Sequence, residues 1–190
     1  MGDKGEGLLD QEQFAQARDA YEKALLPRAA AVANAYYLRE IAQSYSTGPP
    51  RALFERHMKA FANASEAFLS CAREAIQTPE DYYRAAAGCF ENAGDSPYGA
   101  LTYLPEAART YLLAKCFTSA AQLFRKAAMF DEAIEVITKY PEKVEKRVAA
   151  QIKDAAHLRY FTQKELKYVI RCLFFSLVTR YTHQESTQII

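Results

Sequence analysis

One pattern of ring-bearing and small residues recurs four times in this chain. It reads aromatic, two residues, alanine, three residues, aromatic, two residues, small. The copies are Phe14-Ala17-Tyr21-Ala24, Phe61-Ala64-Phe68-Cys71, Tyr83-Ala86-Phe90-Ala93 and Phe117-Ala120-Phe124-Ala127. On a helix those four positions lie along one stripe. Each aromatic side chain offers about 150–250 Å² to bury, and the alanines between them let a second helix approach closely. A single short helix cannot hide such a stripe, so the pattern demands helices packed side by side.

The last two copies open at Tyr83 and Phe117, 34 residues apart. That is the period of stacked helix-turn-helix units of the tetratricopeptide (TPR) kind. The earlier steps, Phe14 to Phe61 and Phe61 to Tyr83, do not keep it. The expected organisation is therefore a disordered N-terminus over 1–9, then one helical-repeat domain over 10–180, then a flexible tail over 181–190. Within the domain, 10–76 is irregular, 79–140 carries the TPR-like repeats, and 141–180 forms basic C-terminal helices.

Local signals place the helices. The first is expected between an Asp10 cap and Pro27, the second over Arg28–Tyr45, and the third over Arg51–Ile76 after the break Ser46-Thr47-Gly48-Pro49-Pro50. Thr78-Pro79-Glu80-Asp81 reads as a cap, a first-position proline and two acids facing the positive end of the helix dipole. That helix should end at Gly94, with a loop over 94–99. Another starts near Pro105 and ends near Lys115, with Ala100–Leu104 left open because Pro105 would sit inside it. Short helices follow over Thr118–Ala127 and Asp131–Tyr140. Pro141-Glu142 is expected to open a further helix to Tyr160, and Thr162-Gln163-Lys164-Glu165, a capping box, to open the last, to Arg180. Strand alternation and hairpin dipeptides are missing.

The charge balance gives the chain no global pull toward polyanions, since 24 basic residues face 23 acidic ones. Cys71, Cys89, Cys116 and Cys172 form no C-x-x-C pair and read as reduced, buried thiols. With no apolar leader and no run of about 18 apolar residues, intracellular residence (cytoplasmic or nuclear) is expected, without membrane contact. Catalysis finds little footing. Gly94 and Gly99 lack the Lys-Ser/Thr of a phosphate loop. His57, His157 and His183 have no metal-ligand spacing. No base is set beside a cysteine. The reading is no enzyme, no cofactor and no metal site.

Two sets of residues are candidates for binding. Between Lys139 and Arg171, nine basic residues oppose four acids: Lys139, Lys143, Lys146, Arg147, Lys153, Arg159, Lys164, Lys167 and Arg171. They read either as solvated helix faces or as a basic face for nucleic acid or an acidic partner. The chain also holds 13 tyrosines and no tryptophan. Tyr36, Tyr82 and Tyr98 are candidate aromatic anchors, with core packing as the alternative.

The run Ala85-Ala86-Ala87-Gly88-Cys89-Phe90-Glu91-Asn92-Ala93-Gly94-Asp95 resembles a phrase of TPR-like solenoids. So does Ala120-Ala121-Gln122-Leu123-Phe124-Arg125-Lys126-Ala127-Ala128-Met129-Phe130-Asp131-Glu132-Ala133-Ile134. Together with Ala35–Glu40, Ala67–Ala72 and Ala155–Phe161, these runs are similar in order to the helical region of fungal TPR and ankyrin repeat-containing proteins, which carry a superfamily 1 helicase core. The likeness covers about Ala30 to Lys167. It implies a helical accessory segment or truncated relative, and it transfers no catalytic residue because no helicase motif is present. The fold expected is all-α, a TPR-like right-handed α-solenoid of antiparallel helical hairpins. The function expected is a non-catalytic scaffold for a protein or peptide partner, with nucleic-acid association through the 139–171 face as the alternative.

Overall fold

The structure is a computed structural model that describes residues 6, 8–9, 13–47 and 49–186, with side chains described as far as Lys167. It is all-helical, and no strand occurs among the described residues. In chain order the helices are α1 (Phe14–Lys23), α2 (Pro27–Ser44), α3 (Arg51–Glu74), α4 (Pro79–Gly94), α5 (Ala100–Leu113), α6 (Phe117–Lys126), α7 (Phe130–Lys139) and α8 (Lys146–Ser186). Each helix packs mainly on the one before and the one after it, and α6 also touches α8.

The repeated phrase is the core. Ala17, Ala64, Ala86 and Ala120 are fully buried, as is Phe68; Tyr21, Phe61, Phe90, Phe117 and Phe124 are nearly so. The rings interlock between successive helices. Phe14 stacks on Tyr36 at 5.3 Å and Tyr36 meets the Phe68 ring edge-on at 5.1 Å, tying α1 to α2 to α3. The buried Ser65 hydroxyl donates to the Ala86 carbonyl at 2.7 Å and joins α3 to α4. Phe90 stacks on Tyr103 at 6.2 Å across α4 and α5.

Three of the turns are copies of one another. α1, α5 and α6 each end on a residue in the left-handed region: Leu25 at φ 57°, Lys115 at φ 58° and Ala128 at φ 60°. In each, the next amide reaches back to an aromatic carbonyl: Leu26 to Tyr21 at 3.0 Å, Cys116 to Tyr111 at 2.9 Å and Met129 to Phe124 at 2.8 Å. This is the Schellman closure. The residue after the left-handed one caps the next helix, its carbonyl accepting from Ala30, Ala120 or Ala133. The chain thus folds back within three residues.

The turn between α4 and α5 uses glycine instead. A Cβ on Gly94 would stand 2.5 Å from the Leu104 side chain, and one on Gly99 would collide with the Ala93 carbonyl. Only glycine permits that approach.

Several expectations are corrected. α5 begins at Ala100, so Pro105 lies inside it. Thr78 precedes α4 but is itself left-handed (φ 47°), with no side-chain capping bond. Pro141 does not open a helix: 140–145 is a turn-rich linker and α8 starts at Lys146. The linker is held by tertiary contacts. The Glu145 amide donates to the Thr118 hydroxyl oxygen at 3.2 Å, and Val144 is buried. Nor does Thr162 start a helix. α8 runs through it without a break, and its hydroxyl donates back to the Leu158 carbonyl at 2.9 Å, a mid-helix habit of threonine.

At the N-terminus, Leu8 and Leu9 pack against the α1–α2 cluster of Ala17, Tyr21, Ala30 and Ala33. The Asp10 cap lies outside the described residues. So does 187–190, while 181–186 continues α8.

Candidate binding furrow

The interlocked rings leave an open furrow of about 360 Å³ between α2 and α4. Its floor is Ala85, Gly88 and Cys89, and its sides carry Arg39, Gln43, Asp81, Arg84 and Asn92. The floor is low because the repeat pattern puts small residues on this face of α4 while Phe90 and Ala86 turn inward. A Cβ on Gly88 would meet only the Tyr111 hydroxyl, at 3.8 Å.

The cations of the furrow are held by the protein itself. Arg39 lies over the Tyr36 ring at 4.8 Å and near Phe68 at 5.7 Å. Arg84 donates to Asp81 at 3.0 Å. Its guanidinium is kept above its ordinary range first by Cys116 and then by Asp81. Burial pushes the Cys89 thiol up to about 11, so at neutral pH it stays protonated and unreactive. The arrangement sets two guanidinium groups, two amides and the Asp81 carboxylate around a shallow bed of small side chains.

The tyrosine anchors are not brought together. Tyr36 is locked among Phe14, Phe68 and Arg39. Tyr82 lines a separate notch of about 360 Å³ with Cys71 and the exposed Ile76, at the α3–α4 turn. Burial raises its hydroxyl pKa, as it does that of the Cys71 thiol. Tyr98 is half exposed on the 95–99 segment, under Arg51 at 4.8 Å and against Phe54 at 5.8 Å.

The nine basic residues also divide. Lys139 and Lys143 sit at the α7–α8 corner, over Tyr140 at 5.6 Å and Phe117 at 5.2 Å. Arg159 turns back to the body, donating to the Ala128 carbonyl and covering the Phe130 ring at 5.1 Å. Lys146, Arg147, Lys153, Lys164 and Lys167 point into solvent along α8. The side chain of Arg171 lies outside the described residues.

Sequence reasoning passed over Arg39, Gln43, Arg84 and Asn92. Their only signal is polar residues beside the small run Ala85–Cys89, which means nothing until α2 and α4 are known to flank one furrow. Among the described residues, no cluster of three or more His, Cys, Asp and Glu side chains could hold a metal ion, and no helix is long and apolar enough to cross a membrane. No known protein family, curated protein or solved structure matches this chain.

Proposed function

We propose that this chain is a non-catalytic helical-repeat scaffold. In this reading its hairpins stack as a TPR-like right-handed solenoid, and a partner protein lays an extended segment in the α2–α4 furrow. The furrow is the observation that carries the reading. It has a bed of small residues, with guanidinium and amide donors for the carbonyls of an extended chain and the Asp81 carboxylate and amide oxygens for its N–H groups. Three features support stacking: packing between chain neighbours, the thrice-repeated Schellman turn, and burial of the repeated phrase.

Selection of displayed peptides on the intact chain tests this. Peptides so obtained should lose binding with Arg39→Glu, Arg84→Glu or Asn92→Ala. They should keep it with Glu66→Ala, on the exposed side of α3. Peptides indifferent to all three furrow substitutions would rule the furrow out.

A further inference from the structure

Between Lys146 and Lys167, α8 carries six cations against the two carboxylates Asp154 and Glu165. Four of its positions fall at seven-residue steps: Lys146, Lys153, Tyr160 and Lys167. A straight helix drifts only about 20° over each such step, so these residues follow one edge. Lys164 lies on the same edge, four residues past Tyr160. The edge is about 32 Å long at 1.5 Å per residue. Val148 and Ile152, which seat α8 on the body, point about 200–240° round from Lys146 and about 60–120° from Tyr160 and Lys167. The two carboxylates lie about 80–100° off the edge.

The four lysines are exposed and make no ion pair among the described residues. Tyr160 is 65% exposed and contacts no other ring among the described residues, and it borders a cleft shared with Phe130, Asp131 and Glu132 of α7. Phe161 beside it is 55% exposed. A largely solvated tyrosine ring between lysines leaves apolar area in water, as Leu158 and Leu166 do elsewhere on α8.

We infer that this edge of α8 binds single-stranded nucleic acid. The lysines track successive phosphates, and Tyr160 offers its face to an unpaired base. Both terms are indifferent to sequence, because every nucleotide has a phosphate and every base a flat face. An acidic peptide would use the lysines and leave the ring idle, and a duplex keeps its bases stacked internally. The inference is separate from the furrow and assigns the basic segment a defined subset. Lys146, Lys153, Lys164 and Lys167 belong to the site; Lys139, Lys143 and Arg159, which lean on the body, do not.

Fluorescence anisotropy of a labelled thymidine oligonucleotide, about 20 nucleotides long, with the full chain tests it across about 50 to 200 mM salt. Each of Lys153→Gln, Lys164→Gln and Lys167→Gln should lower the log–log salt slope by about 0.7. Tyr160→Ala should weaken binding roughly 5- to 100-fold with the slope unchanged. Lys139→Gln and Lys143→Gln should leave both values as they are. Circular dichroism melts matching the parent chain exclude unfolding as the cause. The inference is overturned by any of four results: no binding at the lowest salt, equal effects on and off the edge, tighter binding of the matching duplex, or polyglutamate or phosphatidylserine vesicles competing as well as the oligonucleotide.

Discussion

Replacing Ala128 by glycine should stabilise this protein. Ala128 closes α6 at φ 60°, where an L-residue's Cβ crowds the following carbonyl oxygen at a cost of about 1–2 kcal/mol. Its side chain is exposed, so little packing is lost with the methyl group. What the site contributes comes through the backbone: the Ala128 amide bonds to Arg125, the Met129 amide to Phe124, and the carbonyl accepts from Arg159. Glycine keeps all three. Its freer unfolded chain takes back about 0.4–1 kcal/mol, leaving a net gain of about 0.5–1 kcal/mol. Urea titration followed by far-UV circular dichroism should show a raised midpoint with an unchanged m-value. Leu25→Gly and Lys115→Gly should act the same way, Lys115→Gly less because it removes the 2.5 Å pair with Glu80, an exposed contact worth little. The sites share no partner, so the three gains should add. Gln122→Gly, in the exposed middle of α6, is the control and should cost about 1 kcal/mol. A lowered midpoint for Ala128→Gly, or a loss equal to that of Gln122→Gly, would refute the left-handed assignment and with it the shared turn.

Other outcomes follow from the packing. Phe90→Ala and Phe124→Ala should each cost about 3–5 kcal/mol in denaturant melts, since both rings are buried between helices. Gly99→Ala should cost about 1–3 kcal/mol, because the Ala93 carbonyl it would meet is backbone and cannot rotate away. Ser65→Ala should cost about 0.5–1.5 kcal/mol through the lost bond to Ala86. Burial lowers the His57 pKa, and its Nδ1 is buried without a partner. The folded state therefore takes up that proton later than the unfolded chain. His57 costs no stability above its ordinary value of about 6.5 and an increasing amount as pH falls below it. His57→Gln should flatten the stability–pH curve on the acid side relative to the parent, as read from melts between about pH 7 and 5.

Much of the helical plan could be read from local signals. Pro27 and Pro79 open α2 and α4 because a proline at the first helical position gives up an amide that has no partner there. Gly94 ends α4 where the reading put it. Local signals failed where distant residues decided. Thr162 followed by Glu165 has the letters of a capping box, yet no Gly or Pro precedes it to break α8. Pro141 had the letters of a helix start, but Val144 is drawn into the core and Thr118 grips the linker, so the chain stays non-helical until Lys146. The tyrosines show the same limit. Nothing near Tyr36 in sequence reveals that Phe14 and Phe68 will close on its two sides.

The amino-acid order alone determined that ring-bearing stripes must be buried by neighbouring helices, because spacing along a helix fixes which side chains share a face. Tertiary structure decided which faces remain open. The furrow exists only because α2 and α4 come to flank it. The α8 lysines are exposed because Val148 and Ile152, on another side of the helix, take the seat on the body. Burial is a property of the whole packing, and a residue's exposure depends on neighbours far from it in the chain.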